Sequence, residues 1–226
     1  MPPVPATPPT PPTPAPPPTP APPAATAPPD RRTLIADTAI ATVAAAGLRG
    51  LTHRAVDRAA GLPAGSTSYY FRTRTALIEA CYRRLAELDL ADVDQDAPPP
   101  DPAALGRDEV AAAFAAVLHR WLTTGRERQL ARFELSLEAA RNPDLRTGLH
   151  RAGLGARARA AAILAALGAP RPEESGDLLV AWTEGLLYDH LAGALAATRP
   201  TPTPAALTTT VRRMLDAALR DLPPTP

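Results

Sequence analysis

The residues best equipped for chemistry fall into two groups. Hydroxyls and guanidinium groups crowd residues 52–74, where Thr52, Arg54, Ser66, Thr67, Ser68, Tyr69, Tyr70 and Arg74 lie close together in sequence. Such a set of donors and fixed positive charge suits contact with the phosphates of a polyanion. Farther along, Phe114, Trp121, Phe133, Trp182 and Tyr188 interleave with His119, Glu134, Glu138, Glu184, Asp189 and His190. Aromatic walls carrying a few polar groups are what a small-molecule pocket needs. Glu134 and Glu138 superficially invite a di-metal carboxylate site in a helical bundle. Such sites need His three residues after Glu, and Leu137 and Leu187 stand at that offset from Glu134 and Glu184. With four scattered His, one Cys and no phosphate-cradling glycine loop, no catalytic constellation forms, and neither metal nor cofactor is expected.

Charge divides the chain in the same way. Residues 30–84 hold nine Arg and four acids, a balance of +5, whereas residues 85–226 hold fifteen Arg and nineteen acids, a balance of −4. A basic segment ahead of an acidic one fits a polyanion-binding head on a larger body. Residues 1–29 contain 16 Pro and no charge, which predicts a disordered tail with no part in folding or binding. Cys81 is the single cysteine, so a disulfide framework within one chain is excluded. No apolar run approaches the roughly 18 residues of a membrane span, and the start lacks a secretory pattern, so a cytoplasmic protein without membrane contact is expected.

The elements that must position these groups read as helices throughout. Ile35, Ala39, Val43 and Ala46 recur at helical spacing and predict a helix over 31–46, with Asp30 as N-cap and Gly47 just past its end. Thr52 caps a second helix over 53–60, whose Val56 and Ala59 face inward and which Gly61 ends; Leu51 and Leu62 flank it as core plugs. Pro63 prevents continuation, and a short third helix covers 64–70. Thr73 caps a fourth helix to about residue 91, with Leu77, Ile78, Cys81, Leu85 and Leu88 on one face. Cys81 on that stripe reads as a small buried hydrophobe. After a proline-rich joint at 96–102, helices are expected over 108–123, 127–141, 143–167, 173–197 and 205–221, and no strand pattern occurs. The fold class is therefore all-α: a three-helix helix-turn-helix domain (30–76) joined by a long helix (74–91) to a C-terminal helical bundle within 77–226.

Residues 51–77 read LTHRAVDRAAGLPAGSTSYYFRTRTAL. This stretch resembles the DNA-binding signature of the TetR family of transcriptional regulators, Leu-Thr-x-x-x-Ile-Ala-x-x-Ala-Gly-Val-Ser-x-Gly-Thr-Leu-Tyr-x-His-Phe-x-Ser-Lys-x-x-Leu. Identities fall at Leu51, Thr52, Ala60, Gly61, Gly65, Phe71 and Leu77, and conservative replacements at Val56, Leu62, Ser66, Thr73 and Arg74. Pro63 departs where the pattern has Ser, Ser68 where it has Tyr, and Tyr70 where it has His. The resemblance implies a homodimeric repressor without enzymatic activity, released from a palindromic operator in double-stranded DNA by a small-molecule effector. Thr52, Arg54 and Arg74 are expected to contact phosphate, Tyr69, backed by Tyr70, is expected to reach the sugar-phosphate backbone, and Ser68 is counted among the DNA-binding residues. Ala64, Ser66, Thr67 and Tyr69, as exposed positions of the third helix, are expected to read base edges, and Gly65 to let the backbone approach closely. Phe71 reads as a core plug. The family places its effector pocket in the C-terminal region, so Phe114, Trp121, Phe133, Glu134, Trp182 and Tyr188 are expected to line it. Dimerisation is expected through the last two helices, whose Leu178, Leu179, Trp182, Leu186, Val211, Met214, Leu215 and Leu219 form apolar faces. The alternative is a DNA-binding module that senses nothing and whose C-terminal core is solid.

Overall fold

A computed structural model describes residues 30–96 and 106–220. Its helices are α1 (Arg31–Gly50), α2 (His53–Ala59), α3 (Ser66–Tyr70), α4 (Arg74–Asp96), α5 (Arg107–Leu122), α6 (Arg126–Arg141), α7 (Pro143–Ala166), α8 (Pro172–Leu191) and α9 (Pro204–Ala218). No strand occurs among the described residues. The proline-rich tail, residues 97–102 of the joint and Asp221 lie outside them. None of these helices is long and apolar enough to cross a membrane.

The first core cluster spans both halves of the molecule. Ile35, Ala39, Ile40 and Val43 of α1 meet Leu77, Ile78, Cys81 and Leu85 of α4, and Ala131, Leu135 and Ala139 of α6 close the cluster. Leu51, Val56 and Phe71 are buried in it, and Leu62 packs against it half-buried. Burial pushes the Cys81 thiol up to about 12, so it packs as a small hydrophobe. Asp30 precedes α1, but its side chain caps nothing; its carbonyl accepts from Leu34 N at 2.9 Å. Ala59, expected inward, is exposed, and Asp57 is the buried companion of Val56 on α2.

The second cluster joins α5, α8 and α9 through Val117, Leu118, Trp121, Leu187, Val211 and Leu215. It corrects the expected dimer face: Val211, Met214 and Leu215 are buried inside one chain, against α5, and Leu179 is buried as well. Helix α8 stops at Leu191 instead of 197, because Ala192 and Gly193 both donate their amides to Tyr188 O at 2.8 Å and Arg199 folds back onto Asp189. Helix α4 runs five residues past its expected end, from a start capped by Thr73 Oγ1, which accepts from Ala76 N at 3.1 Å.

A helix-turn-helix surface and a cavity behind it

Helix α2 starts where Thr52 Oγ1 accepts from Ala55 N at 3.1 Å. Between α2 and α3, Gly65 adopts φ +91°, a conformation that a side chain disfavours, and a Cβ there would meet nothing within 4 Å. That conformation brings the start of α3 onto the carboxylate of Asp57. Oδ2 accepts from Gly65 N at 2.8 Å, while Oδ1 accepts from Thr67 N at 2.7 Å and from Thr67 Oγ1 at 2.6 Å. Asp57 is only 3% exposed and Thr67 is fully buried. Burial pulls the Asp57 carboxyl upward, but the bonds from Thr67 and Gly65 outweigh it and hold the group below the usual carboxylate range. Thr67 is therefore no exposed reading position. Ala64, Ser68 and Tyr69 are exposed and Ser66 is half-buried, its hydroxyl donating to Pro63 O at 2.7 Å.

The two tyrosines separate clearly. Tyr69 is 80% exposed, whereas Tyr70 rests against the first core cluster with the Arg32 guanidinium 5.5 Å from its ring centre. Arg54 projects into solvent without an ion pair among the described residues, as do Arg31, Arg49, Arg58 and Arg72, which sequence reasoning did not single out. Arg58 follows Arg54 at i+4, so the helical period alone marks it as a neighbour on the same face. His53 faces inward and ties α2 to the end of α3, its Nε2–H donating to Phe71 O at 2.7 Å.

Arg74, expected at a phosphate, is exposed and has a structural role besides. Its guanidinium donates to Leu51 O and, at 2.7 Å, to Leu48 O, closing the link between α1 and α2. The same link is held from the other side by Glu134 of α6, whose carboxylate accepts from Leu48 N at 3.0 Å. Gly47 breaks the helical path of α1 at φ +64°, and a Cβ there would lie 3.3 Å from Glu134 Oε2. Glu134, expected to line a pocket, thus serves the neck of the molecule and does not line the cavity behind it.

Behind this neck lies a cavity of about 510 Å³. Leu85, Val93, Val110, Phe114, Ile163 and Leu179 supply much of its apolar wall, and its rim bears Asp89, Arg132, Ser136, Arg157, Arg159 and Glu184. Of the expected lining, Phe114 and Trp121 are present. Phe133, Trp182 and Tyr188 are not: Phe133 packs edge-on against Tyr188 at 5.5 Å, Trp182 leans on the second core cluster, and Tyr188 is half exposed. Helices α4 and α7 contribute the unanticipated walls, through Tyr82 and Asp89 and through small residues such as Ala152, Gly153, Ala156 and Ala160. Alanines and glycines facing a neighbouring helix leave room, a signal that a search for aromatics misses.

An ionic chain borders the cavity. Arg132 Nη1 donates to both Glu184 oxygens at 2.7 and 2.8 Å, and its Nε donates to Gln129 Oε1 at 2.6 Å. Gln129 Nε2 donates to Asp89 Oδ1 at 2.9 Å. Arg128 bonds Asp92, which also accepts from Trp121 Nε1 at 2.7 Å. Burial favours protonation of Asp92, but the bonds from Arg128 and Trp121 prevail and keep its carboxyl low. Asp89 goes the other way: burial lifts it to about 6 despite Arg132 and Arg128 nearby. No group of three or more His, Cys, Asp or Glu placed to hold a metal occurs among the described residues.

Comparisons with known proteins agree with this architecture. Residues 105–219 match the family model described as tetracyclin repressor-like, C-terminal domain. A TetR-family member from Streptomyces coelicolor A3 is 31% identical with a TM-score of 0.65, and the match covers 85% of this chain and 100% of that one. The multidrug binding protein EbrR, solved with ethidium, is 29% identical with a TM-score of 0.64, covering 85% of this chain and 100% of its own. A transcriptional regulator from Rhodococcus sp. Rha1, 22% identical with a TM-score of 0.66 over 84% of this chain and 96% of its own, shares the fold. No curated protein matches the chain significantly in sequence. A helix-turn-helix signature, a cavity behind it and these matches lead to one conclusion: the chain belongs to the TetR family of DNA-binding transcriptional regulators.

Proposed function

We propose that the protein is a homodimeric repressor that leaves a palindromic operator when a small, largely apolar molecule bearing a polar or cationic group enters the cavity. The observation that carries this reading is the reach of α4. Three residues separate it from α3, and its residues Tyr82, Leu85, Asp89 and Val93 line the cavity. In this reading residues 30–76 bind DNA and residues 77–226 bind effector and partner. Exposed Tyr69 with Ala64, Ser66 and Ser68 faces the groove, while Thr52, Arg54 and Gly65 lie against the backbone. Pairing uses α8, where Trp182 and Leu186 are half-buried and Tyr188 is exposed, and it spaces two α3 helices by roughly 34 Å, one turn of DNA. EbrR, solved with ethidium, proflavin and malachite green, supports an effector of this size and charge.

Effector must bind the DNA-free form better, and a hundredfold preference corresponds to about 2.8 kcal/mol of coupling. Tilting of α4, and movement of α6 acting through Glu134 on the neck, would alter the half-site spacing. The test is a gel-shift titration with the DNA flanking the protein's own gene, with and without candidate effectors. Binding to an inverted repeat that weakens steeply with salt and is reversed by a cavity ligand is expected. A monomer in sedimentation at micromolar concentration, or no compound that changes operator affinity, would defeat the reading.

A further inference from the structure

The segment from Pro63 to Tyr70 carries no Arg, Lys, Asn, Gln, Asp or Glu. Those are the side chains that fork onto guanine or adenine in the major groove, or accept from the amino group of cytosine. The hydroxyls of the segment are mostly committed. Thr67 Oγ1 is buried on Asp57, and the Ser66 hydroxyl donates to Pro63 O. What the segment exposes is Pro63, Ala64, Gly65, Ser68 and Tyr69. Apart from the Ser68 hydroxyl and the phenol tip of Tyr69, the exposed side chains are apolar: a pyrrolidine ring, a methyl and an aromatic ring. Pro63 stands where the TetR pattern has Ser, so a hydroxyl has given way to an apolar ring at the entry to this surface.

Tyr69 is the largest of these groups, and it is held from behind. Its ring is 80% exposed and meets the Tyr70 ring edge-on at 5.1 Å. Tyr70 is anchored in turn by Arg32, whose guanidinium lies 5.5 Å from that ring's centre and donates to Tyr70 O at 3.2 Å. An aromatic ring supported by a fixed neighbour keeps one position against a duplex. The major-groove edges of the bases offer one feature that an apolar surface recognises, the 5-methyl group of thymine; adenine, guanine and cytosine present donors and acceptors alone.

Resting on the reading in which α3 faces the major groove, we infer that Pro63, Ala64 and the Tyr69 ring recognise thymine methyl groups, and that the operator half-site places thymines beneath α3. Ser68 adds a hydrogen bond that tolerates any base, because a hydroxyl both donates and accepts. Preference for A·T pairs also arises from DNA shape, since A-tracts are stiff and narrow in the minor groove. The two sources part at a single group: uracil keeps the pairing of thymine and lacks its methyl.

The experiment selects duplexes from a random-sequence library with the full-length protein, then replaces thymine by deoxyuridine in the selected half-sites. Gel-shift titration reads the ratio of affinities for the thymine and uracil duplexes. A wild-type ratio of about ten is expected, which corresponds to 1.4 kcal/mol. Uracil confined to the flanking sequence should leave affinity unchanged. Tyr69→Ala should reduce the ratio to about two and Ala64→Gly to about five, fractions of that same energy. Tyr69→Phe, which keeps the ring and loses the hydroxyl, should return the wild-type ratio. Both positions are exposed, so these changes spare the core. A wild-type ratio of one, or selected half-sites that share no thymine, overturns the inference. A Tyr69→Phe ratio as low as that of Tyr69→Ala also overturns it, by assigning the contact to the hydroxyl. So does a ratio that Tyr69→Ala leaves at about ten, because the effect then belongs to the shape of the DNA. If an effector releases the selected DNA while uracil and thymine bind alike, this inference falls and the proposed function stands. If no duplex is selected, DNA recognition by the head fails and the inference falls with it.

Discussion

The helix-turn-helix head and the cavity-bearing body use buried charge in opposite ways. In the head, Asp57 is enclosed and fully employed, with two amides and a hydroxyl bonded to it, and its carboxyl is held low. In the body, Asp89 is enclosed but under-compensated, and its carboxyl is raised to about 6. The first arrangement fixes a short helix in one orientation. The second leaves a site whose energy changes when another charge arrives. In the proposed function a reading surface is rigid and a sensing cavity responsive, and the two carboxylates differ accordingly.

The largest effect is expected where that rigidity is concentrated. The TetR pattern has Ala at the position of Asp57, Leu at that of Thr67 and Ser at that of Pro63, so this chain has replaced an apolar pair and a hydroxyl cap by one hydrogen-bonded carboxylate. Asp57→Ala leaves Gly65 N, Thr67 N and Thr67 Oγ1 without their partner in a buried site. A loss of roughly 3 kcal/mol, and of operator affinity by a hundredfold or more, is expected. Circular-dichroism melting and gel shift will measure it. The triple change Asp57→Ala, Thr67→Leu, Pro63→Ser, which restores the family's own solution, should recover most of both; a triple variant no better than the single one would refute this account. Because the folded carboxyl lies below its usual value of 3.8, its contribution is full above that value, declines as pH falls from there toward the lowered value, and is gone below it.

Two arginines of the head sharpen the same comparison at smaller amplitude. Arg74 is bonded to the carbonyls of Leu48 and Leu51, so Arg74→Ala should lower the melting temperature, by an amount corresponding to about 1–2 kcal/mol, as well as weaken DNA binding. Arg54 is exposed and without an ion pair among the described residues. Arg54→Ala should therefore leave stability unchanged, reduce affinity for all DNA sequences by about tenfold, and lower the slope of log affinity against log salt by about one. Equal melting temperatures for the two variants would contradict the structural role of Arg74.

The head was legible in the sequence because its determinants are local. Thr52, Gly61, Gly65, Phe71 and Leu77 fall within a single stretch, each tied to a cap, a turn or a core contact. What escaped there was the long-range polar pair: nothing in the spacing of Asp57 and Thr67 says that an acid on one helix will cap the next. The cavity escaped more completely. Its wall is drawn from α4 to α9, and what makes it hollow is the smallness of α7 residues such as Gly153, Ala156 and Ala160, which carry no chemical signature. Trp121 was found because it is aromatic; Tyr188 was misplaced for the same reason, since it lies half exposed on the outer side of α8.

The smallest effect tests the responsive half. Asp89 faces Arg128, Gln129 and Arg132 from α6, and Asp92 lies on its own helix. The same cavity also bears Arg157 and Arg159 from α7, which pair with Asp177 and Asp94, and Glu184 from α8, which pairs with Arg132. Burial lifts the Asp89 carboxyl to about 6, above its ordinary value of 3.8, so it is largely ionised at pH 7 and largely protonated at pH 5. Its charged form opposes folding, so the fold gains stability as pH drops from above 6 toward the ordinary value, opposite in sign to Asp57. Cation binding follows the reverse course, because only the ionised carboxylate attracts a positive ligand. Proflavin affinity should fall about fivefold between pH 7 and pH 5, within the tenfold that one pKa unit permits. Asp89→Asn should flatten this step while Glu184→Gln preserves it, since the two carboxylates differ in burial. An unaltered pH profile in Asp89→Asn would show that the titrating group lies elsewhere and that Asp89 does not sense the ligand's charge.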